Sequence, residues 1–336
     1  MEGKYILSIN DPKQIFTSSD EKENKKIYLR LIKEWHPDGF ATLGEAKIKE
    51  AEEVCKHINE LYSDYVPKKV DLNYKEWTTK GGGKITLKYI TDYPFELGTI
   101  YQSKTVTMYL LNKDKEKYYK NFKNTIANLK YYDSKMEKEM KKYFPQRVWY
   151  NELKDGYTIT IEKTLDVLSL RDVLNYYKGT IPDRTSAWII SSMYNIACYF
   201  DWANLVHNGI TIDNYYISPV YHSGLLLGGW WYTVKNKENM IGCKKEIYDI
   251  LPTKTKNSKI SGKKNDMESI KLVGRTILGD SLGRRIKAPD AIREWANSPI
   301  LTDNAIEEYK NWSKVLDRAY GKREFIPLDL TWQTIY

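Results

Sequence analysis

From Asn24 to Trp35 the apolar residues recur at helical spacing. Ile27, Tyr28, Leu31, Ile32 and Trp35 share one face, while Lys26, Arg30 and Lys33 share the opposite one. One side is built to pack and the other presents positive charge in a row. Pro37 stops this helix and pushes His36 out of the helical region, which places His36-Pro37-Asp38 on a turn. A second helix is predicted from Glu45 to Tyr65, with Ile48, Ala51, Cys55, Ile58, Tyr62 and Tyr65 as its apolar stripe. The two form an antiparallel hairpin joined by an exposed loop.

Lys68 to Lys84 is polar and ends in Gly81-Gly82-Gly83, which reads as a linker with a glycine hinge. Beyond it the period changes from helical to alternating. Strands are predicted at Ile85–Ile90, Gly98–Tyr101, Val106–Leu111, Val148–Tyr150 and Tyr157–Glu162, with a charged helical region from Lys115 to Phe144. After Leu168 the pattern is mostly helical, and Ala187 to Val206 reads as a buried core helix. Strands first and helices after predict a two-lobed α+β body. The expected division is 1–67 helical domain, 68–84 linker and 85–336 α+β domain.

The length of 336 residues suits about two domains, and 41% hydrophobic residues suffice for packed cores. The net charge of +9 favours acidic partners. Acidic residues interrupt most basic runs, so a solvated Lys-rich surface is the plainer reading and nucleic acid is not the expected partner. The stretch Lys254 to Lys264 reads as a solvated basic loop. Cys55, Cys198 and Cys243 form no CxxC pair, so neither zinc nor a disulfide framework is expected. The polar N-terminus is no signal peptide, and Ser191, Ser192, Asn195, Asp201 and Asn204 interrupt the longest apolar stretch. A soluble cytoplasmic protein is expected, with no membrane, metal or cofactor.

The first domain resembles a J domain. The resemblance rests on Tyr28, Arg30 and Leu31, on His36-Pro37-Asp38, and on Ile58-Asn59-Glu60-Leu61-Tyr62 in the next helix; it covers about a fifth of the chain. Asn10-Asp11-Pro12 and Thr17-Ser18-Ser19-Asp20 depart from the usual first helix. The resemblance implies that His36, Pro37, Asp38, Lys26, Arg30 and Lys33 dock on the ATPase domain of an Hsp70/DnaK-type chaperone and stimulate it.

The second domain resembles the protein-kinase fold. Leu97–Tyr101 lies where a glycine-poor nucleotide loop would run, and Val106–Tyr109 matches the third strand. His207–Asn214 lines up with the catalytic loop, Leu225–Trp231 with the metal-binding turn, and Asp266 with the buried Asp of the central helix. On that alignment Tyr109 replaces the phosphate-holding Lys, Gly209 the catalytic Asp, and Thr211 the nearby Lys. Gly228 or Gly229 replaces the metal-binding Asp, while His207, Asn214 and Asp266 are kept. The resemblance therefore implies a pseudokinase, not an enzyme.

The expected function is a J-domain co-chaperone or adaptor that binds Hsp70, with the dead kinase-like domain selecting an unnamed client. Such a fusion resembles proteins associated with large bacterial viruses, in which case the cytoplasm would be a host's. Two alternatives stand beside it: a divergent or nucleotide-binding kinase using Asp213, and a basic nucleic-acid-associated structural protein.

Overall fold

The structure is a computed structural model that describes residues 2–18, 21–40, 42–65, 72–322, 326 and 328–336. Residues 66–71 of the sequence-predicted domain end and linker lie outside the described residues, as does Arg323.

The N-terminal body has three helices, α1 (Gly3–Ser8), α2 (Glu21–Glu34) and α3 (Glu45–Tyr65). Pro37 opens a short 3-10 turn, Pro37–Phe40, between α2 and α3. The core gathers Ile6, Ile9, Phe16, Tyr28, Leu31, Val54, Ile58 and Tyr62. Tyr28 stacks on Tyr62 with ring centroids 4.1 Å apart and donates its hydroxyl to Asn59 Oδ1 at 2.8 Å. Buried Cys55 donates to the Trp35 carbonyl at 3.0 Å and so satisfies an otherwise orphaned acceptor at the end of α2.

The larger body begins with a hairpin, β1 (Asn73–Thr78) and β2 (Lys84–Tyr89). This corrects the linker reading over residues 73–84. The three glycines are the hairpin turn: Thr79 N–H donates to the Gly83 carbonyl at 2.8 Å, and Gly82 takes φ +84°. Five antiparallel strands follow, β3 (Thr91–Phe95), β4 (Gly98–Gln102), β5 (Val106–Asn112), β6 (Val148–Leu153) and β7 (Gly156–Glu162), in the spatial order β3-β4-β5-β7-β6. Helices α4 (Glu116–Ala127) and α5 (Ser134–Lys141) lie between β5 and β6, where a single helical region was expected.

Alternation along β5 sends Tyr109 and Leu111 into the main core and Val106, Met108 and Leu110 to the other face. The hairpin covers that second face with Trp77, Leu87 and Tyr89. Gly98 is obligatory, because a Cβ there would collide with the Leu110 carbonyl.

The helical lobe contains β8 (Leu168–Ser169), α6 (Leu170–Tyr176), α7 (Asp183–Ala203), β9 (Leu205–Val206), β10 (Tyr215–Ser218), β11 (Ser223–Leu226), β12 (Val234–Lys235), α8 (Lys245–Ile250), α9 (Thr253–Ser258), α10 (Lys264–Ile277), α11 (Asp290–Asn297), α12 (Ala305–Tyr320) and α13 (Trp332–Ile335). The described chain is thus mixed helix and sheet, with α7 at the centre of its main core. No helix among the described residues is long and apolar enough to cross a membrane.

Candidate functional site

Two regions concentrate the residues singled out by sequence. The first is the turn after α2. Asp38 points outward with its side chain 79% exposed, whereas the His36 ring is only 12% exposed. His36 Nδ1 accepts from the Asp38 N–H at 3.3 Å, and the Gly39 N–H donates to the His36 carbonyl at 2.9 Å. Trp35 and Phe40 stack across the turn with centroids 5.4 Å apart. These contacts hold the three residues in one compact turn. Lys26, Arg30 and Lys33 are all exposed along α2. Lys26 also pairs with Glu23 at 2.6 Å, so part of the basic row is neutralised locally.

The second region is the cleft between the five-stranded sheet and the helical lobe. Asp266 on α10 is buried and accepts from the N–H groups of His207 and Asn208 at 2.7 and 2.8 Å. Burial pushes its carboxyl up to about 7, against the pull of those two amides. His207 is enclosed by Phe200 and Trp230, and burial pushes its imidazole down to about 3. Both residues therefore hold the shape of the loop from His207 to Asn214.

Asn214 donates to the Gly209 carbonyl at 2.9 Å, and its carbonyl receives the N–H groups of Leu227 and Gly228 at 3.1 Å each. Thr211 is buried in the same loop. Its carbonyl accepts the N–H groups of Asn214 and Tyr215. The structure thus brings His207, Gly209, Thr211, Asn214, Gly228, Gly229 and Asp266 together, with Tyr109 facing Gly228 from β5.

Gly209, Gly228 and Gly229 leave no room for a side chain. A Cβ on Gly209 would stand 2.9 Å from the Gly229 carbonyl oxygen, and one on Gly229 would stand 2.5 Å from His207 Cε1. A Cβ on Gly228 would collide with both the Tyr109 hydroxyl and Asn214 Oδ1. Asn214 Oδ1 is buried with no hydrogen-bond partner. A lone amide oxygen is a poor donor set for Mg²⁺, which is usually bound through one or two carboxylates.

Side chains fill the rest of the cleft. The Tyr216 hydroxyl receives Gln102 Nε2 at 2.7 Å and lies 2.9 Å from Thr107 Oγ1 and 3.3 Å from the Tyr109 hydroxyl, all buried. Phe95 and Trp231 pack on Tyr109 with centroids 5.9 and 5.0 Å away. The two-residue turn between β3 and β4 is fastened to the lobe below, because Tyr232 donates to Glu96 Oε1 at 2.7 Å.

At the mouth, Tyr336 donates to the buried carboxylate of Asp172, which Tyr93 also approaches at 3.4 Å.

Asp213, the carboxylate nearest the loop, is buried between Arg171 and Lys244 and ion-paired to both. Burial pushes it up, but the Arg171 hydrogen bond and the two positive charges outweigh that and hold it below the usual carboxylate range.

Sequence reasoning missed the residues that fill the cleft, namely Tyr93, Gln102, Thr107, Asp172, Tyr216 and Tyr336. Their partners lie more than seventy residues away, so no local pattern marks them.

No protein-family model matches the sequence, and a search of the curated proteins finds no match. Among solved structures the chain is similar to one described as "Structure of vaccinia related kinase 3". The TM-score is 0.45 at 11% identity, covering 73% of this chain and 91% of that one.

Proposed function

We propose that this chain is a co-chaperone or adaptor in which the N-terminal body engages an Hsp70-type ATPase and the larger body binds a client without transferring phosphate. One observation carries the reading. His36-Pro37-Asp38 stands on a tight turn between two packed antiparallel helices, with the Asp38 carboxylate exposed and Lys26, Arg30 and Lys33 outward on the helix leading into it. Such a row of cations favours encounter with an acidic chaperone face, and an exposed carboxylate beside it can compete for a charge pair there.

The kinase-like part of the reading draws on the order of elements. A five-stranded antiparallel sheet with helices inserted after β5 precedes a helical lobe, and the loop fixed by Asp266 faces the turn at Gly228-Gly229. Phosphoryl transfer needs groups that position the hydroxyl and neutralise the triphosphate. Here those positions are glycines without space for a side chain, and Asp213 is committed to two cations. Binding is what such a body retains.

The test is steady-state ATP hydrolysis by the cognate Hsp70 with sub-stoichiometric amounts of this protein. Stimulation that His36→Gln abolishes supports the reading, and no stimulation by the wild type removes it.

A further inference from the structure

We propose that the cavity between α7 and α12 is a binding site for a small planar aromatic anion. The cavity has a volume of about 480 Å³ and is open on one side. That lies within the range of small-molecule sites, on the order of 300–1,000 Å³.

Its walls divide by chemistry. Trp188 forms an aromatic wall, held by a stacked contact with His222 at 4.5 Å between centroids. Ala187 and Leu316 add an aliphatic surface.

The polar side is cationic. Arg184 lies along the Tyr320 ring, 4.6 Å from its centroid, and Lys310 reaches the cavity from α12. No acidic side chain lines the cavity among the described residues. Nor does either cation have a carboxylate within ion-pairing distance among them. The neighbouring carboxylate of Asp183 already receives the Tyr320 hydroxyl at 2.9 Å.

Two cations border a half-open aromatic and aliphatic cavity, with no negative counterpart among the described residues. A guanidinium fork suits a carboxylate or sulfonate, with the ammonium adding a point charge. A flat ring attached to that anion would bury its face against Trp188 and Leu316. A neutral ring would gain the burial but leave the cations unsatisfied. The cavity lies outside the interlobe cleft, so it is independent of the cleft's lost chemistry.

Isothermal titration of the full chain tests this, with 1-naphthalenesulfonate as probe and 1-naphthalenemethanol as its neutral comparator. The expected result is saturable one-site binding of the sulfonate, about tenfold tighter than the alcohol, and weakened about tenfold by combining Arg184→Met with Lys310→Met. Absence of saturable binding, equal binding of both compounds, or unchanged affinity in the double variant would overturn the proposal. Should the double variant melt early, Lys310→Met alone decides. Its side chain is exposed, so a fold intact with affinity unchanged overturns the site, and a clear weakening supports it.

Discussion

Gly209 and Gly229 meet backbone to backbone: a Cβ on Gly209 would stand 2.9 Å from the Gly229 carbonyl oxygen and 3.0 Å from its Cα. In the proposed reading these glycines align with carboxylate positions of phosphotransferases, and each takes the space the other's side chain would need. Placing an acid at Gly209 should therefore damage the fold and confer no activity. Gly209→Asp is expected to lower the unfolding free energy by about 1–3 kcal/mol, the usual scale for overpacking, read from urea midpoints. A variant of wild-type stability that gained ATP hydrolysis would contradict this.

The same crowding governs nucleotide binding. Mg-ATP at millimolar concentration should leave the melting temperature of the wild type unchanged, since Phe95, Tyr109, Tyr216 and Trp231 already occupy the cleft. A Mg-dependent rise in melting temperature that Asn214→Ala removes would show that the cleft opens.

The tyrosine hydroxyls in the cleft are structural. Tyr216→Phe removes the acceptor of Gln102 Nε2 and a partner of Thr107 Oγ1 in a buried setting. The expected cost is about 1–3 kcal/mol of stability, measured by chemical denaturation. A neutral result would mean that the network is not held as a unit.

Much of the helical hairpin was legible because its signal is local. Apolar periodicity marked α2, and α3 runs from Glu45 to Tyr65 as expected. The edge strand β3 was hidden by Asp92, a poor strand former, and by Pro94, which a sheet tolerates at its edge. The strand β1 was hidden because NYKEWT lies mostly exposed and its glycine-rich turn resembles a hinge. His207, Asn214 and Asp266 stand out in the sequence, and the fold brings them together. The filling of the cleft could not be read locally, because Tyr93, Tyr216 and Tyr336 are brought together only by the tertiary fold.

The C-terminal segment 328–336 ties the two bodies together, and this has a measurable consequence. Trp332 Nε1 donates to Ser63 Oγ on α3 at 3.1 Å, Lys25 on α2 pairs with Asp329 at 2.8 Å, and Tyr336 reaches Asp172 beside the cleft. Trp332→Ala and Tyr336→Ala should each raise amide hydrogen exchange in α3 as well as locally. Faster exchange confined to residues 328–336 would mean that the segment does not brace the hairpin.

Two buried groups set opposite pH trends. The folded pKa of His207, about 3, lies below its unfolded value, so the unfolded chain binds the extra proton and stability falls as pH drops from about 6.5 towards 3. The folded pKa of Asp266, about 7, lies above its unfolded value, so its contribution is fully present below about pH 4 and is lost as pH rises through 7. Asp266→Asn should remove the loss between pH 4 and 7 and leave the acid-side loss from His207. Parallel stability curves for wild type and variant across pH 4–8 would contradict that assignment.

The most direct measurement remains the ATPase rate of the cognate Hsp70. The wild-type protein should accelerate steady-state hydrolysis at sub-stoichiometric amounts. His36→Gln should abolish the acceleration with an unchanged melting temperature, and charge reversal at Arg30 and Lys33 should weaken it in a salt-dependent way. No acceleration by the wild type, or an acceleration that His36→Gln leaves intact, would contradict the co-chaperone reading.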